Sequence, residues 1–237
     1  MHDYPKNLAI IMDGNRRWAS LRGLSAIKGH KKGAEKLKNI ITKCNFFNVE
    51  ELSVFAFSTE NWRRVPSEVN ALIGLIERYL KSEIEGMYKN NLIFNVIGDK
   101  KVFKKSLVDM INYAEKITSN NSGMKLNIAL NYGGRQDIVE ACKNIVEKIN
   151  TSELKINELD ESTIFNNLIS SKVNNVDLMI RTSGEKRISN FLPWQLSYSE
   201  FYFSESMWPD FDEKELENAF KSFSLRQRRF GSSIKKT

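Results

Sequence analysis

Leu8-Ala9-Ile10-Ile11-Met12-Asp13-Gly14-Asn15-Arg16-Arg17-Trp18 passes in one step from an apolar run to an acid, a glycine and paired arginines. An apolar run of this length bounded by polar residues suits a buried strand of a parallel sheet, and ligands of open α/β sheets bind beyond the carboxyl ends of such strands. The polar residues therefore stand where a ligand would. Asp13 is placed to hold a hard cation, Gly14 lets the backbone turn sharply and approach a ligand, and Arg17 offers forked donors to phosphate oxygens. The segment reads as a metal-diphosphate site. An ordinary polar turn carrying a surface ion pair is the competing reading of these residues taken alone.

Outward from this stretch, β-branched apolar runs recur at Leu52 to Phe57, Ile93 to Ile97, Leu126 to Leu130 and Leu178 to Ile180, and Phe201-Tyr202-Phe203 suits a last short strand. Segments of helical periodicity separate them. Val69, Leu72, Ile73, Ile76 and Leu80 form one apolar stripe behind a cap at Ser67 with Glu68 just inside. Ala34, Leu37, Ile40 and Ile41 form another between Gly33 and Cys44, Ile138, Cys142, Ile145 and Ile149 a third, and Asp212 to Phe223 suits a final helix. The alternation predicts an α/β fold: one domain over residues 1–237, with a mostly parallel central sheet flanked by helices. A basic tail from about 225, with Arg226, Arg228 and Arg229, reads in isolation as solvated charge.

Length and composition bound the rest. A chain of 237 residues with 41% hydrophobic residues can bury one sizeable core. No apolar run approaches the length of a membrane span and Met1 to Lys6 lacks a signal pattern, which predicts a cytoplasmic protein. Cys44 and Cys142 are too few for a disulfide framework and sit at apolar helical positions, as buried thiols do. With only His2 and His30 and no paired cysteines, a zinc site is improbable and any metal should be oxygen-ligated. The excess of 36 basic over 29 acidic side chains, a charge of +7, favours anionic partners without choosing among nucleic acid, phosphorylated metabolites and acidic lipid.

Three further loops carry chemistry. Phe57-Ser58-Thr59-Glu60-Asn61-Trp62-Arg63-Arg64 again turns a strand into an arginine-bearing loop. Ile180-Arg181-Thr182-Ser183-Gly184-Glu185-Lys186-Arg187-Ile188-Ser189-Asn190 supplies cations, hydroxyls and a permissive glycine for diphosphate oxygens. Asn131-Tyr132-Gly133-Gly134-Arg135 starts a helix directly after a strand, where an anion site and a purely conformational use of the glycines are both open.

The ordered set Met12 to Trp18, Gly29-His30, Phe57 to Trp62, Asn131 to Arg135, Arg181 to Glu185 and Trp208-Pro209-Asp210-Phe211 resembles the cis-prenyltransferase family, and within it the undecaprenyl diphosphate synthases, nearly from end to end. The resemblance implies repeated addition of isopentenyl diphosphate to an allylic starter such as farnesyl diphosphate. The implied product is a long polyprenyl diphosphate, undecaprenyl diphosphate for a cell-envelope glycan carrier lipid, and the implied cofactor is Mg2+. Carried over by motif, Asp13 is the metal-handling acid, and Gly14, Asn15, Arg16, Arg17 and Trp18 surround the allylic diphosphate with His30 on its phosphate side. Arg181, Arg187 and Ser189 match the isopentenyl diphosphate headgroup site, and Glu200 matches a second acid associated with the metal. Ser58, Asn61 and Arg64 match positions that organise proton removal, with Thr59, Glu60 and Trp62 beside them; the proton acceptor itself stays open between substrate diphosphate and water. Trp62 and Glu68 also have the plain readings of aromatic packing and helix capping.

The family houses its product in an apolar tunnel. Ala34 and Ala56 would leave room at the entrance, Leu72 and Ile76 would line a wall, and Met124 and Leu130 would lie near the floor; ordinary core packing explains each equally well. Two departures from the family pattern stand out. Ala26 replaces an arginine common in relatives four residues before the histidine, and Lys186, which cannot ligate magnesium, replaces a histidine. A catalytic homodimer is implied, with Arg229-Phe230-Gly231 resembling a tail motif that a neighbouring subunit contributes, together with transient membrane contact. The alternatives are a shorter-chain synthase, a noncatalytic partner subunit and, from charge alone, a nucleic-acid-binding module, though no nucleic acid is expected.

Overall fold

A computed structural model describes residues 4–228. Six strands form one parallel sheet: β1 (Asn7–Ile11), β2 (Glu51–Ser58), β3 (Ile93–Ile97), β4 (Lys125–Tyr132), β5 (Leu178–Arg181) and β6 (Glu200–Phe203). Their order across the sheet is β3-β4-β2-β1-β5-β6. The chain first winds from β1 to one edge and then returns past β1 to build the other. The loops leaving β1 and β5 therefore diverge, which is the point where open α/β sheets make their ligand crevice.

β1 is buried along nearly its whole length because both faces of the sheet are covered, as parallel sheets require. Its side chains alternate between two cores. Leu8 and Ile10 enter a core beneath α2 (Ala26–Phe46), α3 (Pro66–Lys89), α4 (Lys105–Thr118) and α7 (Glu213–Ser224). Ala9 and Ile11 enter a second core with Tyr132, Met179, Phe191 and Leu192, on the side of α5 (Gly134–Asn150) and α6 (Glu161–Asn167). A short helix, α1 (Asn15–Ser20), follows β1 directly.

Several sequence expectations shift. α2 starts at Ala26 rather than Gly33, so His30 lies within the helix. α3 begins at Pro66 with Val65 outside it, not at a Ser67 cap; proline's fixed φ and missing N–H suit the first helical position. In α5 the buried stripe is Gly134, Asp137, Ala141 and Ile145, one residue round from the expected one, so Cys44 is buried but Cys142 is exposed. The basic tail is not all solvated: Arg226 pairs with Glu200 at 2.8 Å, and Arg228 is bonded to Asp177. Arg229-Phe230-Gly231 lies outside the described residues.

Candidate functional site

The crevice is built where β1 and β5 end side by side, Ile11 in register with Arg181. Beyond β1, Gly14 takes φ +100°, a backbone state costly for any residue with a Cβ, and an added Cβ would meet Ser183 Oγ at 2.7 Å. Thr182 Oγ1 donates to the Asp13 carbonyl at 2.7 Å and the Trp208 N–H donates to it at 2.9 Å, so two other segments fix the loop. Asp13 then presents its carboxylate upward. One oxygen accepts from the Gly14 N–H at 2.7 Å, and the other accepts from Arg181 Nη2 at 2.9 Å.

Arg181 is 4% exposed, and its guanidinium also donates to Ser189 Oγ at 2.6 Å and to the Arg187 carbonyl. A charge so buried persists only with partners. The loop that supplies them is strained, with Ser183, Ser189, Asn190 and Leu192 all at positive φ. Asn190 ties it down, donating to Glu60 at 3.0 Å and accepting from the Arg135 N–H at 2.9 Å. Glu185 gathers two guanidiniums: Arg17 donates to it at 3.1 Å and Arg187 donates to its other oxygen, which together hold its carboxyl below the usual range. The result is a rim of fixed arginines.

On the other side of the crevice, Asn61 Oδ1 accepts from the Ser58 N–H at 3.0 Å in a reciprocal cap that fixes the Ser58–Asn61 turn. Arg64 pairs with Glu68 at 3.1 Å and Arg16 approaches the same carboxylate at 3.7 Å. Burial, with Arg64 and Arg16 nearby, lowers His30 to about 4, against the opposing pull of Glu68, so its imidazole is neutral at pH 7. Buried polar groups without partners concentrate here: His30 Nε2, Arg181 Nε and Ser183 Oγ all lack one. Unpartnered buried polar groups are uncommon in folded proteins, and a cluster of them at one crevice fits a site whose bonding a ligand completes.

Beneath the charged rim lies a cavity of about 800 Å³ between α2, α3 and the sheet. Asp13, Asn15, His30, Ser58, Glu60, Asn61, Arg64, Arg181 and Ser189 line its head. Mostly apolar side chains from both helices and from β2 to β4 line the rest, joined at the far end by Lys38, Thr42, Asn45, Glu83 and Asn90.

A family model described as putative undecaprenyl diphosphate synthase matches residues 11–231. The chain belongs to the undecaprenyl diphosphate synthase family. Two relatives named ditrans,polycis-undecaprenyl-diphosphate synthase, (2E,6E)-farnesyl-diphosphate specific, are highly similar. That of Pasteurella multocida is 43% identical, covering 98% of this chain and 97% of its own. That of Photorhabdus laumondii is 45% identical, covering 97% and 91%. Among solved structures, lavandulyl diphosphate synthase from Lavandula x intermedia, in complex with dimethylallyl diphosphate, superposes with TM-score 0.93 at 37% identity over 97% of this chain and 99% of its own. A probable undecaprenyl diphosphate synthase from Campylobacter jejuni superposes with TM-score 0.81 at 34% identity over 98% and 100%.

Within this undecaprenyl diphosphate synthase fold, not every residue singled out from the sequence reaches the cavity. Gly14, Arg16, Arg17, Trp18, Thr59, Trp62 and Arg187 stand outside its lining. Trp18 donates to Asp210 at 2.7 Å with the Arg22 guanidinium 4.3 Å above its ring, and Trp62 donates to Asn131 at 2.8 Å. Ala34, Ala56, Leu72, Ile76 and Leu130 do line the cavity, whereas Met124 packs into the core and is absent from the wall. Glu200 is not beside Asp13. It pairs in register with Leu178, three residues below Arg181, which is about 10 Å down the sheet. Trp208 and Asn190 line the cavity without having been picked out; both stand in motifs visible in the sequence, but their contacts are long-range. Ala26 leaves a small recess between the first turns of α2 and α3, bounded by His30 and Glu68.

Proposed function

We propose that this chain is a cis-prenyltransferase that condenses isopentenyl diphosphate repeatedly with an allylic diphosphate, farnesyl diphosphate as starter, to make undecaprenyl diphosphate. The observation that carries this reading is the joining of an arginine-rimmed head, with its orphaned donors, to an apolar cavity of about 800 Å³. An amphiphile with an anionic head and a long hydrocarbon tail matches both halves. The names of the relatives from Pasteurella multocida and Photorhabdus laumondii support the starter and the product.

In each turn of the reaction the allylic carbon–oxygen bond breaks and diphosphate leaves. The terminal alkene carbon of isopentenyl diphosphate bonds to that allylic carbon, and a proton is lost from the methylene next to the inner alkene carbon, where the new double bond forms. Charge develops on the leaving diphosphate, so fixed donors stabilise the transition state more than the ground state. Asn15, Arg16, Arg17 and neutral His30 serve the allylic diphosphate, with Gly14 allowing the close approach and Trp18 bracing the loop. Arg181, Arg187 and Ser189 serve isopentenyl diphosphate. Ser58, Asn61 and Arg64, held by the reciprocal cap and by Glu68, position the group that loses the proton, and Thr59, Glu60 and Trp62 shape that turn.

No cluster of three metal-ligating side chains exists among the described residues. Asp13 nevertheless fits Mg2+, an ion commonly held by one or two carboxylates plus substrate phosphates. Bound there, Mg2+ would neutralise diphosphate charge. The resemblance of Arg229-Phe230-Gly231 to a tail motif that a neighbouring subunit contributes supports a homodimer reading, and Glu200 is the acid that the same resemblance associates with the metal. No helix among the described residues is long and apolar enough to cross a membrane. A cytoplasmic enzyme in transient membrane contact suits a product with an apolar destination.

The test is magnesium-dependent incorporation of labelled isopentenyl diphosphate onto farnesyl diphosphate, with products resolved by length, in wild type and Asp13→Ala. Long products lost in the variant are expected. A well-folded wild type that transfers no prenyl group overturns the reading, and products of one or two additions move it to the shorter-chain class suggested by the likeness to lavandulyl diphosphate synthase.

A further inference from the structure

Prenyl transfer gives no task to Gly133-Gly134-Arg135, yet this turn is tied to the site by a single residue. The first two N–H groups of α5 both go to Asn190: the Gly134 N–H donates to its carbonyl at 2.8 Å and the Arg135 N–H to its side-chain Oδ1 at 2.9 Å. A helix N-terminus suits an anion, but this one is filled from within the chain. The paired glycines serve the close approach. A Cβ at Gly133 would meet Thr59 Oγ1 at 2.5 Å and Asn190 Nδ2 at 3.0 Å, and one at Gly134 would overlap the Pro193 ring. Loops leaving β2, β4 and β5 therefore meet at one side chain.

That side chain is an amide, and its two halves have different partners. Its oxygen faces the Arg135 N–H, so its NH2 is turned to Glu60, to which it donates at 3.0 Å. Among the described residues this is the one hydrogen bond between the loop after β5 and the turn after β2. Asn190 also holds φ +63°, a left-handed state that few side chains besides asparagine and aspartate visit. Beside it in the chain, Ser189 accepts from Arg181 at 2.6 Å; across the bond, Glu60 precedes Asn61, whose Oδ1 accepts from the Ser58 N–H. One residue thus joins the headgroup clamp for isopentenyl diphosphate to the turn that serves its proton.

We propose that Asn190 is a positioning residue that keeps the Arg181–Ser189 clamp aligned with the Ser58–Asn61 turn, acting through Glu60 and the start of α5. This rests on the prenyl-transfer reading above and deepens it. In isopentenyl diphosphate the methylene that loses the proton is bonded to the carbon bearing the diphosphate, so the clamp and the proton site must keep a fixed separation. α5 is a firm anchor for that purpose, because Asp137 in its first turn accepts from Tyr132 at 3.0 Å and from the Ile169 N–H at 2.6 Å. A misplacement on the order of 1 Å costs roughly 100-fold in rate, so one hydrogen bond between the two loops has a large lever. Among the described residues Asn190 makes no hydrogen bond to the loop after β1 or to α2, so the allylic diphosphate is spared.

The experiment compares steady-state kinetics of wild type, Asn190→Asp, Glu60→Ala and the exchanged pair Glu60→Gln/Asn190→Asp, with farnesyl diphosphate and with isopentenyl diphosphate that is either unlabelled or deuterated at the reacting methylene. Asn190→Asp keeps the shape, the left-handed backbone and the acceptor for α5, but sets one carboxylate against another. It is expected to lower kcat/KM for isopentenyl diphosphate by roughly 10- to 100-fold, to leave KM for farnesyl diphosphate within about twofold, and to raise the deuterium isotope effect as proton loss becomes slower. Glu60→Ala, which leaves the β5 loop untouched, is expected to show the same pattern to a smaller degree, and it decides alone if Asn190→Asp does not fold. In the exchanged pair the hydrogen bond runs in the opposite sense, from the new amide to the new carboxylate, and at least about a tenfold recovery over Asn190→Asp is expected, which a merely structural role does not give. Equal loss of affinity for both substrates, an exchanged pair no better than Asn190→Asp, or an unchanged Glu60→Ala overturns the proposal and leaves the prenyl-transfer reading intact. Absence of transfer by well-folded wild type overturns both.

Discussion

The two faces of the sheet use similar residues to opposite ends. On the α5 side, Phe191 stacks on Phe55 with ring centres 4.5 Å apart and meets Tyr132 edge-on, and buried polar groups there form a network in which only Gln195 Oε1, among the described residues, lacks a partner. There Asp137 accepts from Tyr132 at 3.0 Å, from the Ile169 N–H at 2.6 Å and from Ser170, while Gln195 donates to Ser170 at 2.8 Å. On the α2–α3 side the helices stand off from the sheet around about 800 Å³ of space, and polar groups near its head are left without partners. Close packing on one side is what lets the other stay hollow: strands pinned from behind keep their carboxyl ends fixed while the front accommodates a ligand of changing length.

The largest expected effect that separates the faces is on turnover. Asp13→Ala should cut prenyl transfer by about two to three orders of magnitude, in line with loss of a charge-stabilising group, with the variant still eluting and melting as a folded protein. If activity persisted, the crevice at the β1–β5 divergence would lose its claim to be the reacting centre. Next in size is a stability contrast. Phe191→Ala should cost about 3–5 kcal/mol, whereas Leu75→Ala, which only enlarges an existing cavity, should cost about 1 kcal/mol. Urea titration of both variants measures the gap, and equal losses would mean that the front is packed as tightly as the back.

His30 sharpens the comparison through pH. Its folded-state value of about 4 lies below the ordinary 6.5, so the unfolded chain binds the extra proton and stability falls as pH drops from about 6.5 towards 4. The full linkage is about 3 kcal/mol, and His30→Gln should flatten that part of the stability profile. An unchanged profile would show that the imidazole is not buried at the head of the cavity. The smallest effect concerns the thiols. Cys142 should react with an aromatic disulfide reagent in the native state while Cys44 stays protected until unfolding, and Cys142→Ser should shift stability by no more than about 0.5 kcal/mol.

Much of this was readable in the chain. The six apolar runs are the six strands, because parallel strands buried on both faces must be continuously apolar. The motifs at Asp13, Ser58 and Arg181 converge because each follows a strand and all strands point the same way. What escaped the sequence is what depends on rotation and distance. Periodicity alone fixes a helix face only to within a residue, so the α5 pattern points Cys142 to the core where Ala141 serves. α4 buries Leu107, Ile111, Ala114 and Thr118, a face with too few large apolar residues to stand out as a stripe in the sequence. The distance of Glu200 from Asp13 is set by strand register, and the Asn190–Glu60 contact by how two loops meet; neither leaves a local signature.

The pairing of Asp13 with Arg181 joins residues 168 positions apart, and β1 reaches its neighbour β5 across nearly the same interval. During synthesis, then, one edge of β1 has no partner until most of the polypeptide has left the ribosome, and through that period Leu8 to Ile11 offers an unpaired apolar strand to any other nascent chain. Non-local pairing of this kind is slow to find, so the reacting centre is among the last features to assemble. A chain stopped short of Arg181 would carry α2 and α3 complete and still be inert and adhesive, which ties completion of the crevice to the synthesis of β5.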